Sequence, residues 1–267
     1  MTLIITEISR VGIAMATDSA FTPHGGGTTQ YKPKLFSSAK LGVGVSMWGS
    51  LPPQPDRWMH AFLSRAEAAS CPDIHTLAAD LQNELRTACP TARPTAALQA
   101  TVGFHLAGYD SGYPVLYHIH NGASQALAAK GITVNASLIN ANLDLSLADS
   151  KALMASNSTA YYLTRNGDFL IYAIISNLLD PLLGRLDPLR KGGGFPMIPG
   201  TLFVPGGNTL VDRANYLAFQ IHVVSTLFEI SNIPALLGTT GPHIGGDILA
   251  LELDGKHALT PPRVVAF

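Results

Sequence analysis

A chain of 267 residues with 47% hydrophobic and 13% charged residues can bury a sizeable core, and its charged share is about half the usual one. The net charge of −1, with no basic run, excludes electrostatic recruitment to nucleic acid or an anionic membrane surface; the most apolar stretch, Phe169 to Leu179, is too short to span a bilayer. So few charges leave solubility to be secured by hidden surface, which predicts a large homo-oligomeric interface. No charged segment followed by an apolar one precedes Thr2, so a cytoplasmic location is expected, with Cys71 and Cys89 as reduced structural thiols.

Residues 2 to 8 and 11 to 18 are β-branched and aliphatic runs separated by Arg10-Val11-Gly12, which predicts a hairpin apolar on both faces. Thr2 then lies at the free end of one strand and Asp18 at the adjacent end of its antiparallel partner. After the Gly-rich loop Pro23-His24-Gly25-Gly26-Gly27, Lys34-Leu35-Phe36 opens another strand-like run. Paired beside the hairpin, that run brings the Lys34 ammonium to Asp18 and the Thr2 hydroxyl.

Leu41 to Ser50 predicts a strand and Pro52-Pro53-Gln54-Pro55 a stiff linker. Trp58, Met59, Phe62 and Ala66 recur at helical spacing between residues 56 and 69. A second helix, capped at Asp73, carries Ile74, Leu77, Ala78, Leu81 and Leu85 on one face. Residues 98 to 107 and 114 to 120 predict two strands joined at Asp110-Ser111-Gly112, whereas 123 to 149 has only weak periodicity.

Ala160 to Thr164 reads as a strand, Arg165-Asn166-Gly167-Asp168 as a turn with a helix N-cap, and Phe169 to Leu183 as a buried helix. Residues 184 to 207, loaded with Gly and Pro, read as a loop insertion. Leu210 to Ile230 is the clearest long helix, with Leu217, Ile221, Val224 and Phe228 along one stripe; 248 to 253 and 264 to 267 close as strands. The order implies an α+β layered chain without distinguishing among two-sheet folds.

The spacing Thr2, Asp18, Lys34 resembles, without a gap, that of the N-terminal-threonine hydrolases of the proteasome β-subunit type and their simpler bacterial relatives. Ser19 and Thr22 fall where that family has an Asp-Ser pair followed by a substrate-binding threonine. One inserted residue aligns Val45 to Ser50 with the segment whose glycine, Gly49 here, supplies the oxyanion-hole amide. The stretch from Leu106 to Gly122 is similar to the family's central hairpin, and Ile244-Gly245-Gly246-Asp247-Ile248 to its Gly-Gly turn before the last strand. The resemblance covers 2 to about 122 well and about 210 to 254 loosely.

This resemblance implies one four-layer αββα domain over 1 to 267 with an insertion around 123 to 207. It implies a homo-oligomer of rings with Thr2 facing inward, peptide or unfolded-protein substrates, and room for an ATP-dependent unfoldase. Phe21, Met47 and Leu51 match positions lining the family's first specificity pocket. The family's support for the threonine amine is altered: Asn166 and Asp168 are the nearest matches for one part, and no acid stands in Gly241-Pro242-His243-Ile244 for the other.

Such a site needs no histidine, metal or cofactor. The Thr2 hydroxyl attacks while its own α-amine, exposed by removal of Met1, takes the proton. Lys34 stabilises the alkoxide, Asp18 holds Lys34, and the Gly49 amide receives the oxyanion. The other readings are a small-molecule amidase or acylase of the same chemical class and a catalytically silent ring subunit. His118 and His120 share a strand face but lack a third ligand, and the triple glycines at 25 to 27 and 192 to 194 lack phosphate-loop context.

Overall fold

The computed structural model describes residues 2–21, 30–49, 54–88, 102–120, 140–156, 160–167, 209–230, 244–255 and 261–267. Within them the protein is mixed α/β, with four helices and sheets in which every pairing is antiparallel. No helix among them is long and apolar enough to cross a membrane.

The predicted hairpin forms as β1 (Leu3–Ser9) and β2 (Gly12–Asp18), paired Ile4 to Thr17 through Ser9 to Gly12. Every residue of both strands is buried, and their alternation explains why. Leu3, Ile5, Ala14 and Ala16 pack with a helix, while Ile8, Ile13 and Met15 pack with a second sheet. A strand covered on both faces needs apolar residues at every position, so the runs read as continuous rather than alternating.

Short strands β3 (Ala20–Phe21) and β4 (Gln30–Tyr31) form a separate ribbon. The second five-stranded sheet runs β5 (Leu35–Ser38), β6 (Val43–Gly49), β7 (Val102–Asp110), β8 (Tyr113–His120) and β9 (Asn140–Leu145). Lys34-Leu35-Phe36 thus does not pair beside the hairpin. It opens the edge strand of the facing sheet, because Leu35 and Phe36 find partners in Ser46 and Val45 while both edges of the hairpin are taken. Ser111 and Gly112, with φ of 51° and 81°, make the two-residue turn joining β7 to β8.

Helices α1 (Pro55–Ala68) and α2 (Ile74–Ala88) cover this sheet, with Met59, Phe62, Leu77 and Leu81 against Phe36, Val45, Met47 and Phe104. Where the sequence showed weak periodicity, β9 is followed by α3 (Leu147–Ala155). Its start is set by a capping box rather than an apolar stripe: Ser146 Oγ accepts from Asp149 N at 3.2 Å and Asp149 Oδ2 accepts from Ser146 N at 3.3 Å.

Arg165-Asn166-Gly167, expected as a turn, instead continues β10 (Tyr161–Gly167), which pairs with β1 from Leu3–Gly167 to Ser9–Tyr161. The buried edge of β1 needs hydrogen-bond partners, and that need outweighs the turn tendency of Asn-Gly. The helix expected at 169 to 183 and the loop at 184 to 207 lie outside the described residues.

Helix α4 (Leu210–Ile230) places Leu217, Ile221, Val224 and Phe228 against the hairpin sheet. That sheet is completed by β11 (Ile248–Leu253) beside β2 and by β12 (Arg263–Val265). Glu7 of β1 and Arg213 of α4 form an ion pair between side chains only 5% and 4% exposed, with the guanidinium 5.3 Å from the centre of the Tyr161 ring. Glu7→Ala leaves that cation buried without its carboxylate. Its expected cost is about 3–5 kcal/mol, read as an earlier denaturation midpoint with an unchanged slope.

Candidate active site

Three chain segments converge on one buried carboxylate. Asp18, at the end of β2, accepts backbone hydrogen bonds from Leu3 N at 3.0 Å, Ala20 N at 3.2 Å and Gly245 N at 3.3 Å. The first ties down the chain next to Thr2, the second the start of β3, and the third the Gly-Gly turn ahead of β11. Gly245 accepts in return from Ser19 N at 3.2 Å and Ala20 N at 3.0 Å. Gly246, at φ 73°, has no room for a side chain, because a Cβ there would lie 2.6 Å from Ser19 Oγ and 2.3 Å from the Tyr31 ring.

Into this frame Lys34 reaches from the facing sheet. Its Nζ donates to Thr2 Oγ1 at 2.8 Å, to Asp18 Oδ1 and Oδ2 at 3.2 and 3.3 Å, and to the Ala20 carbonyl. Lys34 and Asp18 are fully buried and Thr2 is 3% exposed. Burial pushes the Asp18 carboxyl up, against the opposing pull of the Lys34 charge and the backbone donors. Burial likewise pushes the Lys34 amine down, against the opposing pull of Asp18.

Gly49 ends β6 at φ 82°, two residues beyond Met47, whose N–H bonds the Lys34 carbonyl at 2.9 Å. Met47 itself is buried in the core beneath α1 and α2. Phe21, half-buried at the end of β3, has the Lys32 ammonium 5.5 Å over its ring. Thr22, Leu51 and Asp168 lie outside the described residues. Asn166 lies close by in β10, but the structure sets its side chain on His105 rather than on Thr2.

His105 links the two sheets: Nε2 donates to Asn166 Oδ1 at 2.7 Å, and Nδ1 accepts from Thr6 Oγ1 at 2.9 Å. These partners define a neutral tautomer. Burial pushes its pKa down to about 4, against the Asn166 bond, and His118, at 5.3 Å ring to ring, is pushed down to about 2, first by burial. A folded-state pKa below the unfolded 6.5 gives stability that is present above pH 6.5 and lost as pH falls toward 4. Denaturant titrations at pH 7 and pH 4 should differ by on the order of 3 kcal/mol from His105 alone, and His105→Asn should shrink that difference.

The sequence pointed to Thr2, Asp18 and Lys34, and the structure brings these three together. It did not assign the Gly245 amide or the Ala20 carbonyl; the Gly245-Gly246 pair was the available signal. Among the described residues no group of His, Cys, Asp and Glu is placed to hold a metal ion.

No family model matches the chain, and no curated protein matches it. Among solved structures, Anbu from Hyphomicrobium sp. strain MC1 is similar over 100% of this chain and 88% of its own, with TM-score 0.54 and 11% identity. Anbu from Yersinia bercovieri, an ancestral beta-subunit, is similar over 100% of this chain and 87% of its own, with TM-score 0.51 and 12% identity. The fold is similar to that of Anbu. This corrects the family reading made from the sequence: without a family model or a curated match, and at this identity, membership in the proteasome β-subunit type of N-terminal-threonine hydrolases does not stand. The likeness is one of fold, proteasome-like in kind.

Proposed function

We propose that the protein is a threonine peptidase that uses Thr2 as an N-terminal nucleophile. The observation that carries this reading is the Lys34 Nζ at 2.8 Å from Thr2 Oγ1, buried together with Asp18. A buried lysine is costly unless the site uses it, and perturbed, paired groups of this kind concentrate where chemistry occurs.

In the proposed reaction, Met1 is removed and Thr2 Oγ attacks the peptide carbonyl. Its proton passes to the α-amine as the C–O bond forms, beside the Lys34 ammonium. The oxyanion is received by the Gly49 amide, the C–N bond breaks, and the proton is delivered to the leaving amine. Water then hydrolyses the ester on Thr2 and restores the hydroxyl. Phe21, Thr22 and Leu51 are assigned to the substrate side and Asp168 to the support of the amine, whereas Met47 is held in the core and Asn166 on His105; no metal or cofactor is called for.

The reading takes the fold as a four-layer αββα sandwich, supported by buried clusters beneath α1 and α2, beneath α4, and between the two sheets. It places the sites inside a homo-oligomer, supported by the 13% charged content and by exposed Val211, Ile230, Val264 and Phe267. Such a chamber would take unfolded chains, with an ATP-dependent unfoldase as the natural supplier, in the cytoplasm.

Mass spectrometry of the intact protein with and without a threonine-directed epoxyketone tests this directly. The expected result is loss of Met1 and one adduct on Thr2, with cleavage of peptides. Retained Met1 with no adduct and no turnover would leave a silent subunit; turnover of small amides alone would favour an amidase.

A further inference from the structure

Gly49 has no side chain with which to hold its own place, and it closes β6 at φ 82°. Its N–H nevertheless has a defined direction. Successive N–H groups of a strand point to alternate edges, so Gly49 shares the edge of Met47, whose N–H bonds the Lys34 carbonyl at 2.9 Å. The pairing of β5 with β6 begins at Leu35 and Ser46 and so stops short of Gly49.

The last side chain before that amide is Trp48, on the opposite face of β6 from the core residue Met47. Its partner across the ladder is Gly103, which shares a face of β7 with His105 and therefore looks toward the hairpin sheet. The indole fills the space over that glycine: a Cβ on Gly103 would stand 2.2, 2.3 and 2.5 Å from Trp48 Nε1, Cε2 and Cζ2, its three nearest atoms. His118 packs against the indole with ring centres 5.9 Å apart and is itself stacked on His120 at 4.3 Å. Among the described residues the buried indole N–H has no acceptor, so contact rather than a hydrogen bond holds the ring.

We propose that Trp48 is a positioning residue: seated in the space that Gly103 leaves and against His118, it fixes the end of β6 and with it the direction of the Gly49 amide. The inference rests on the function proposed above. An oxyanion hole stabilises charge only if its donor is already aimed when that charge develops, and a terminal glycine needs a neighbour to aim it.

The test is a double-variant cycle in the full chain, read by peptide turnover and by the Gly49 amide resonance. Trp48→Ala and Gly103→Ala should each lower kcat on the order of 100-fold with KM near the wild-type value, the mark of an interaction made in the transition state. Trp48→Phe should restore most of that loss, because the site uses the ring and not its N–H. The variant carrying both Trp48→Ala and Gly103→Ala should be no worse than Trp48→Ala, since the added Cβ then has no indole to strike.

The Gly49 resonance should shift in both single variants and return toward its wild-type position in Trp48→Phe. That readout needs no turnover, so a wild type that cleaves nothing would end the peptidase reading while the placing of the amide is still decided. An unmoved Gly49 resonance in Trp48→Ala, losses that multiply in the double variant, a loss carried by KM alone, or no rescue by Trp48→Phe would each overturn the proposal.

Discussion

Thr2→Ala is expected to remove hydrolysis of a fluorogenic peptide panel, by a factor on the order of 10,000 or more, while the protein keeps its fold. In the proposed reaction the Thr2 oxygen is the attacking atom, and the Lys34 ammonium hydrogen-bonded to it cannot take over that role. The structural cost is small by comparison. Deleting the hydroxyl removes one of the acceptors around Lys34 Nζ and leaves Asp18 and the Ala20 carbonyl in place, a loss of about 1 kcal/mol. Circular dichroism and a denaturation midpoint near that of the wild type would accompany the loss of turnover and of the epoxyketone adduct. Full activity in Thr2→Ala would remove Thr2 from the reaction.

Lys34→Met is expected to damage both chemistry and stability. Without the ammonium, the alkoxide loses its stabilising charge, and turnover should fall on the order of 1000-fold. Asp18 then stays fully buried with three backbone donors and no cation, at a cost of about 3–5 kcal/mol. The pH dependence gives the effect a signature. Burial already raises the Asp18 pKa, and loss of the Lys34 charge removes the largest influence lowering it. A raised folded-state pKa gives stability that is present below the unfolded value and lost as pH rises through the folded one. Relative to wild type, the variant should therefore be least stable at neutral pH and recover part of the difference as pH falls. A uniform offset at every pH would show that Asp18 is not the stranded group.

Much of this site was legible in the sequence because its parts stand at the ends of strands with strong local signals. The runs at 2 to 8 and 11 to 18 are apolar throughout, so the hairpin and the adjacency of Thr2 and Asp18 follow from pairing alone. What was illegible depends on long-range partners. Nothing local to Lys34-Leu35-Phe36 says which sheet it joins; that is decided by Ser46 and Val45 and by the occupied edges of the hairpin. Asn166-Gly167 carries a turn signal, yet pairing with β1 draws it into a strand. The Gly245 amide reaches Asp18 across 227 residues, and only the glycine pair marks the place. Family membership was over-read from spacing, since strand-end geometry can be held by a fold at 11–13% identity to its solved neighbours.

The hydroxyl and the amine beside it belong to different sheets, one at the start of β1 and the other at the edge of the opposing five strands. A half-made molecule, with either sheet formed and the other still loose, therefore has an idle alcohol and a solvated lysine too far apart to react. Under the proposed function, docking of the two halves is itself the safety catch: a nascent or partly melted copy would be unable to cut the chains around it.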